Sequence, residues 1–136
     1  MTEESYPVTI AGNEYQLRYY YPDFKKMEFD LGTDYVNFIN QTLLYSLNGM
    51  EVYLWRGIKK QNDSGVWVHV FPQDQNGRDA VGVILWQHFQ NPENTDHTSI
   101  PRAIFEAFCV SGPFHKVKKE NPVSEPKGDD TKNSMT

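Results

Sequence analysis

The sequence predicts an α+β domain: an N-terminal β-hairpin packed on a small helical bundle. Residues 8–32 read in order as strand, turn, strand, Asp-started helix and Leu-Gly stop. Apolar residues at helical spacing then recur, as at Val36, Ile39, Leu43 and Leu47. Near residues 66–71, β-branched residues alternate with larger ones, which favours an extra strand by composition.

The hairpin strands are expected at residues 8–10 and 15–20, joined through Ala11, Gly12, Asn13 and Glu14. Gly and Asn tolerate the positive φ that a tight turn needs. Tyr15, Leu17 and Tyr19 alternate with Gln16 and Arg18, the pattern of a half-buried strand. A lone hairpin is marginal in water, so this one must pack on something. Pro22 and Asp23 then start a short helix, with Asp23 accepting from the free N–H groups of its first turn. Phe24, Met27 and Leu31 share one face, Gly32 supplies the left-handed stop, and Lys25, Lys26 and Glu28 face water.

A second helix is expected over residues 34–47, where Phe38 and Leu44 widen the apolar stripe and Asn48-Gly49 ends it. Residues 50–60 favour a third helix, with Val52, Trp55 and Ile58 three apart and Leu54 beside them. Gly57 weakens that helix, and the β-rich run Val52-Tyr53-Leu54-Trp55 makes a strand the alternative. Residues 61–65 are a turn and residues 72–79 a polar loop. Residues 80–89 read as a helix capped by Asp79, and residues 91–97 as a loop. Ser99, with Pro101 soon after, opens a last helix to Val110, stopped by Gly112-Pro113. Its apolar face is Ile100, Ile104, Phe105 and Phe108.

A chain of 136 residues fits one domain. That domain is expected over residues 1–114. Residues 115–136 are Lys-, Pro-, Ser- and Asp-rich, bury too little to offset ordering entropy, and are expected to be a disordered tail. The net charge is −5, and the segment from Lys116 onward carries +1, so the body is acidic. An acidic body repels phosphate backbones, which disfavours nucleic acid as a partner; the run Tyr19-Tyr20-Tyr21 lacks a surrounding basic patch. Cys109 is the single cysteine, which excludes an intrachain disulfide. The N-terminus has no apolar signal core and no apolar run is long enough for a bilayer, so the expected setting is the cytoplasm, without a membrane partner.

No motif in the chain signals catalysis. His69, His88, His97 and His115 are scattered without ligand spacing, so neither a metal nor another cofactor is expected. His69 is placed on a strand face and His88 on a helix surface or boundary. Asp74-x-Asn76-Gly77-x-Asp79 lacks the flanking acidic ligands of a calcium loop and reads as a polar turn. Cys109 sits in the apolar run IFEAFCV, surroundings that keep a thiol inert. The three Trp, eight Tyr and eight Phe are many for so small a domain. Tyr53, Trp55, Trp86, Phe89, Phe105 and Phe108 are the candidates for a partner-binding surface, each weighed against a place in the core. Trp and Tyr bury much area for little rotamer entropy, which suits them as anchors.

The chain resembles the small tail assembly chaperones of long-tailed bacteriophages and gene transfer agents. The residues that carry the likeness are Ile10, Gly12, Tyr15, Leu17 and Arg18, in an I-x-G-x-x-Y-x-L-R hairpin. Glu28, Leu31 and Gly32 follow as E-x-x-L-G at the end of a short helix. The likeness spans residues 8–112 and departs from the family pattern at residues 66–71 and the polar loop after them. It implies a noncatalytic protein that binds and solubilises the tape measure protein, a long apolar helical chain, until tail tube protein assembles around it. Such a role needs an apolar groove with a polar rim. The alternatives are another protein-binding adaptor or immunity-type module, or a small enzyme with an unrecognised site.

Overall fold

The computed structural model describes residues 5–34, 37 and 41–111. Strands β1 (Tyr6–Ile10) and β2 (Asn13–Leu17) form an antiparallel hairpin, with Tyr6 opposite Leu17 and Ile10 opposite Asn13. Ala11 and Gly12 make the turn alone, at φ of 52° and 84°. This two-residue geometry matches the twist of the strands. Asn13 and Glu14 therefore belong to β2, while Tyr19 and Tyr20 lie beyond it.

Helix α1 (Tyr21–Leu31) begins two residues before Asp23. Asp23 lies within the first turn and accepts the Tyr20 backbone N–H at 2.8 Å. Phe24 and Met27 are buried and Leu31 packs partly on the core. Gly32 has φ 64°, and its N–H returns to the Glu28 carbonyl, the left-handed stop expected.

The expected helix over residues 34–47 is broken. Its stretch through Val36, Phe38 and Ile39 lies outside the described residues. Then come a single turn, α2 (Gln41–Leu44), and a new helix, α3 (Leu47–Gly57), whose N-cap Ser46 accepts the Gly49 N–H at 2.8 Å. Asn48 and Gly49 thus open a helix instead of ending one, and Leu47 faces water instead of the core. Val52, Tyr53, Leu54 and Trp55 are helical and buried. Gly57 is the last residue of α3, and the Tyr19 ring lies so close to it that an added Cβ would collide with that ring.

The chain turns directly into β3 (Ile58–Gln61), which replaces the last turn of the expected third helix. Strand β4 (Trp67–His69) pairs with β3 and is the extra strand that composition favoured, although shorter. Sheet order is β1-β2-β3-β4, all neighbours antiparallel. Helix α4 (Gln75–Gln90) starts five residues before the expected point, capped by Asp74 and not Asp79. Asp74 Oδ1 accepts the Gly77 N–H at 3.1 Å, so the faint calcium-loop motif is a helix start, not a free turn. Helix α5 (Ser99–Val110) follows the expected span, with Ile100, Ile104 and Phe108 buried. Gly112, Pro113 and the tail lie outside the described residues.

Helix α5 packs on β1, and α3 packs between α1 and α4. The core runs from Val8, Ile10 and Leu17 of the hairpin through α3 to α5. The arrangement is α+β, a hairpin-led sheet packed with helices.

Candidate functional site

The six candidate aromatics do not share a surface. Tyr53 and Phe108 are fully buried and meet edge to face at 5.2 Å between centroids. Phe108 also contacts the rings of Tyr19 at 4.9 Å and Phe24 at 5.7 Å. The Tyr19 hydroxyl donates to the Tyr53 carbonyl at 2.6 Å. Burial raises the pKa values of both tyrosines, so both stay neutral. Trp55 is buried as well; its indole N–H donates to the Pro72 carbonyl at 2.8 Å and the Arg56 guanidinium stacks over it at 3.7 Å. These three side chains build the core and cannot line a groove. Phe89 and Phe105 are half-buried against that core. Trp86 alone of the six is largely in water, at 65% exposure.

Other apolar side chains face solvent. On α1, Phe29 is 87% exposed near the end of the helix, and Tyr21 is exposed at its start, with the Lys25 ammonium 5.6 Å from the Tyr21 ring. On α4, Val83 is exposed one helical turn before Trp86. Tyr45 and Leu47 are exposed at the α2–α3 junction. Phe29 was legible as an outward residue. It stands two positions past Met27, about 200° round the helix from the buried face.

A second feature, an interior ionic cluster, escaped the sequence reading. The Lys59 ammonium is buried and donates to Asp23 Oδ2 at 2.6 Å, to the Arg18 carbonyl at 2.6 Å and to the Arg56 carbonyl at 3.1 Å. All three of its N–H groups are occupied, so it is a tie between elements and not an available nucleophile. Burial lowers the Lys59 pKa, opposed by the Asp23 carboxylate. His69 Nε2 lies 3.5 Å from Asp23 Oδ1. That is too long for a hydrogen bond. Burial and the Lys59 charge lower the His69 pKa more than Asp23 raises it, so the contact is not an ion pair at neutral pH. Nearby, Arg56 clasps Asp30 through Nε at 2.9 Å and Nη2 at 3.2 Å, and its Nη1 reaches Gln73 at 3.0 Å.

His88 is not on the surface. It is 9% exposed, and its Nδ1 accepts the Ala11 backbone N–H at 2.9 Å, which pins the hairpin turn to α4. Cys109 is buried within α5. Among the described residues no group of three or more His, Cys, Asp or Glu side chains is placed to hold a metal. No helix among them is long and apolar enough to cross a membrane. No protein-family model, curated protein or solved structure matches the chain.

Proposed function

We propose that this protein is a noncatalytic tail assembly chaperone that binds the tape measure protein in the host cytoplasm and keeps it soluble. The observation that carries this reading is the pair of two-faced helices flanking α3. Helix α1 buries Phe24 and Met27 yet holds Phe29 and Tyr21 in water; α4 buries Val81 and Leu85 yet holds Val83 and Trp86 in water. Isolated exposed apolar residues are ordinary, but large ones on two helices that both pack on α3 suit an amphipathic helical client. The residues of the hairpin likeness agree with this reading. Ile10 and Leu17 are fully buried, Gly12 sits in the turn, and Gly32 ends α1. Tail tube protein displaces the chaperone as it polymerises, so a modest affinity and a partly polar surface fit the task.

The test is co-expression with the tape measure protein encoded in the same genome, followed by pull-down and a solubility assay. The long chain is expected to become soluble and co-purify. Phe29→Ser with Trp86→Ser is expected to abolish that rescue while the thermal melt of the domain stays unchanged. A client that remains insoluble and unbound beside a folded domain defeats the proposal and points to an adaptor for a folded partner.

A further inference from the structure

The two edges of the sheet differ. In the outer strand β1, hairpin closure at Ile10 and Asn13 turns the backbone of Pro7 and Thr9 outward. Pro7 has no N–H to offer, and α5 packs on this strand. The other edge, β4, carries no proline, and among the described residues the helix contact recorded against it is that of its His69 with Asp23 in the first turn of α1. Asn62 N–H donates to Val66 O at 2.8 Å and Val70 N–H to Ile58 O at 3.2 Å. With Lys59 opposite His69 and Lys60 opposite Val68, these bonds fix which residues face β3. Val66, Val68 and Val70 bond inward, and the backbone N–H and C=O groups of Trp67 and His69 point away from the sheet. No strand of the sheet lies beyond β4 among the described residues. From Val66 to Phe71 there is no Lys, Arg, Asp, Glu or Pro. Val66 and Val70 are 55% and 38% exposed.

We infer that β4 is a self-association edge and that its occupant is the β4 strand of a second copy. The segment V-W-V-H-V pairs with itself in antiparallel register about Val68. Trp67 of one copy then faces His69 of the other, and both residues exchange their outward backbone bonds, once on each side of the two-fold axis. Val68 meets Val68 in the closer, non-hydrogen-bonded position, and each Val66 meets a Val70. The outward backbone groups fall opposite one another in this register, and the strand brings no like charges into apposition. Two short edges bury less than the ~1,000 Å² of a stable interface, so the dimer is reversible and concentration-dependent. The inference is independent of the chaperone reading.

Sedimentation equilibrium of the full chain over a wide concentration range tests it. The wild type is expected to pass from monomer to dimer. Val66→Lys with Val70→Lys sets like charges across the two-fold axis, and the dissociation constant is expected to rise at least about tenfold. Val66→Glu with Val70→Glu does the same. Mixing the Lys pair with the Glu pair restores a dimer, now mixed. Hydrogen exchange needs no variant: the Trp67 and His69 amides of the wild type are expected to slow as concentration rises. A wild type that stays monomeric, a Lys pair that dimerises as well as the wild type, or charged partners that do not re-associate would each overturn the assignment. So would exchange at those amides that ignores concentration.

Discussion

Lys59 joins four segments through one ammonium: the end of β2, the first turn of α1, the end of α3 and its own strand. Removing one charge of such a pair strands the other in the interior, which costs about 3–5 kcal/mol, whereas replacing both is far milder. Asp23→Ala or Lys59→Met should therefore lower the urea midpoint sharply, and Asp23→Leu with Lys59→Met should recover most of the loss. His88 answers to pH. Burial first, and then the charge of His97, lower its pKa below the ordinary histidine value of about 6.5. Its folded form is thus the neutral ring that accepts from Ala11. The unfolded chain takes up the proton more readily, so this contribution is full above the unfolded pKa and is lost as pH falls through the folded one. His69 carries a shift of the same sign. Urea titrations at stepwise lower pH should show falling stability, and His88→Leu should flatten part of that slope. Neither contact was legible in the sequence, because Lys59 meets Asp23 across 36 positions and His88 meets Ala11 across 77.

Elements were legible where local signals agreed with the tertiary structure. The turn at Gly12, the alternation of Tyr15 and Leu17 and the stop at Gly32 placed the hairpin and α1. Ser99, Pro101 and a strong apolar face placed α5. The break at Ser46 was hidden because the apolar spacing runs through it from Leu43 to Leu47 without a change of period. Periodicity cannot detect a break across which the apolar spacing happens to continue, even though Leu47 ends up in water. Ile58 lies three residues past Trp55 and reads as helix, yet pairing with Leu17 makes it strand. Here the sheet outweighed a local preference. The start of α4 turned on which of two aspartates caps it. Asp74→Ala should cost about 1 kcal/mol by removing an acceptor from the first free N–H groups, while Asp79→Ala should be nearly neutral. Chemical denaturation of both variants distinguishes them.

For the molecule as a whole, composition announced a surplus of aromatics without sorting them. Whether Trp55 or Trp86 lies inside depends on which helix face meets α3, and that is settled only in three dimensions. Phe108→Ala should cost about 3–5 kcal/mol, since that ring touches Tyr19, Phe24 and Tyr53. Trp86→Ala should stay within about 0.5 kcal/mol. Thermal unfolding of the two variants checks this sorting independently of any partner.

The contact of β1 with α5 also governs how the chain can acquire its structure during synthesis. The hairpin leaves the ribosome early, but β1, which carries the core residues Val8 and Ile10, packs mainly on the last described helix. The central pairing of β2 with β3 must likewise close over the whole of α1–α3. Such long-range closures slow folding. A nascent chain stopped before Ser99 should therefore remain protease-sensitive from its first strand onward, and protection should arrive late, in one step, as α5 emerges.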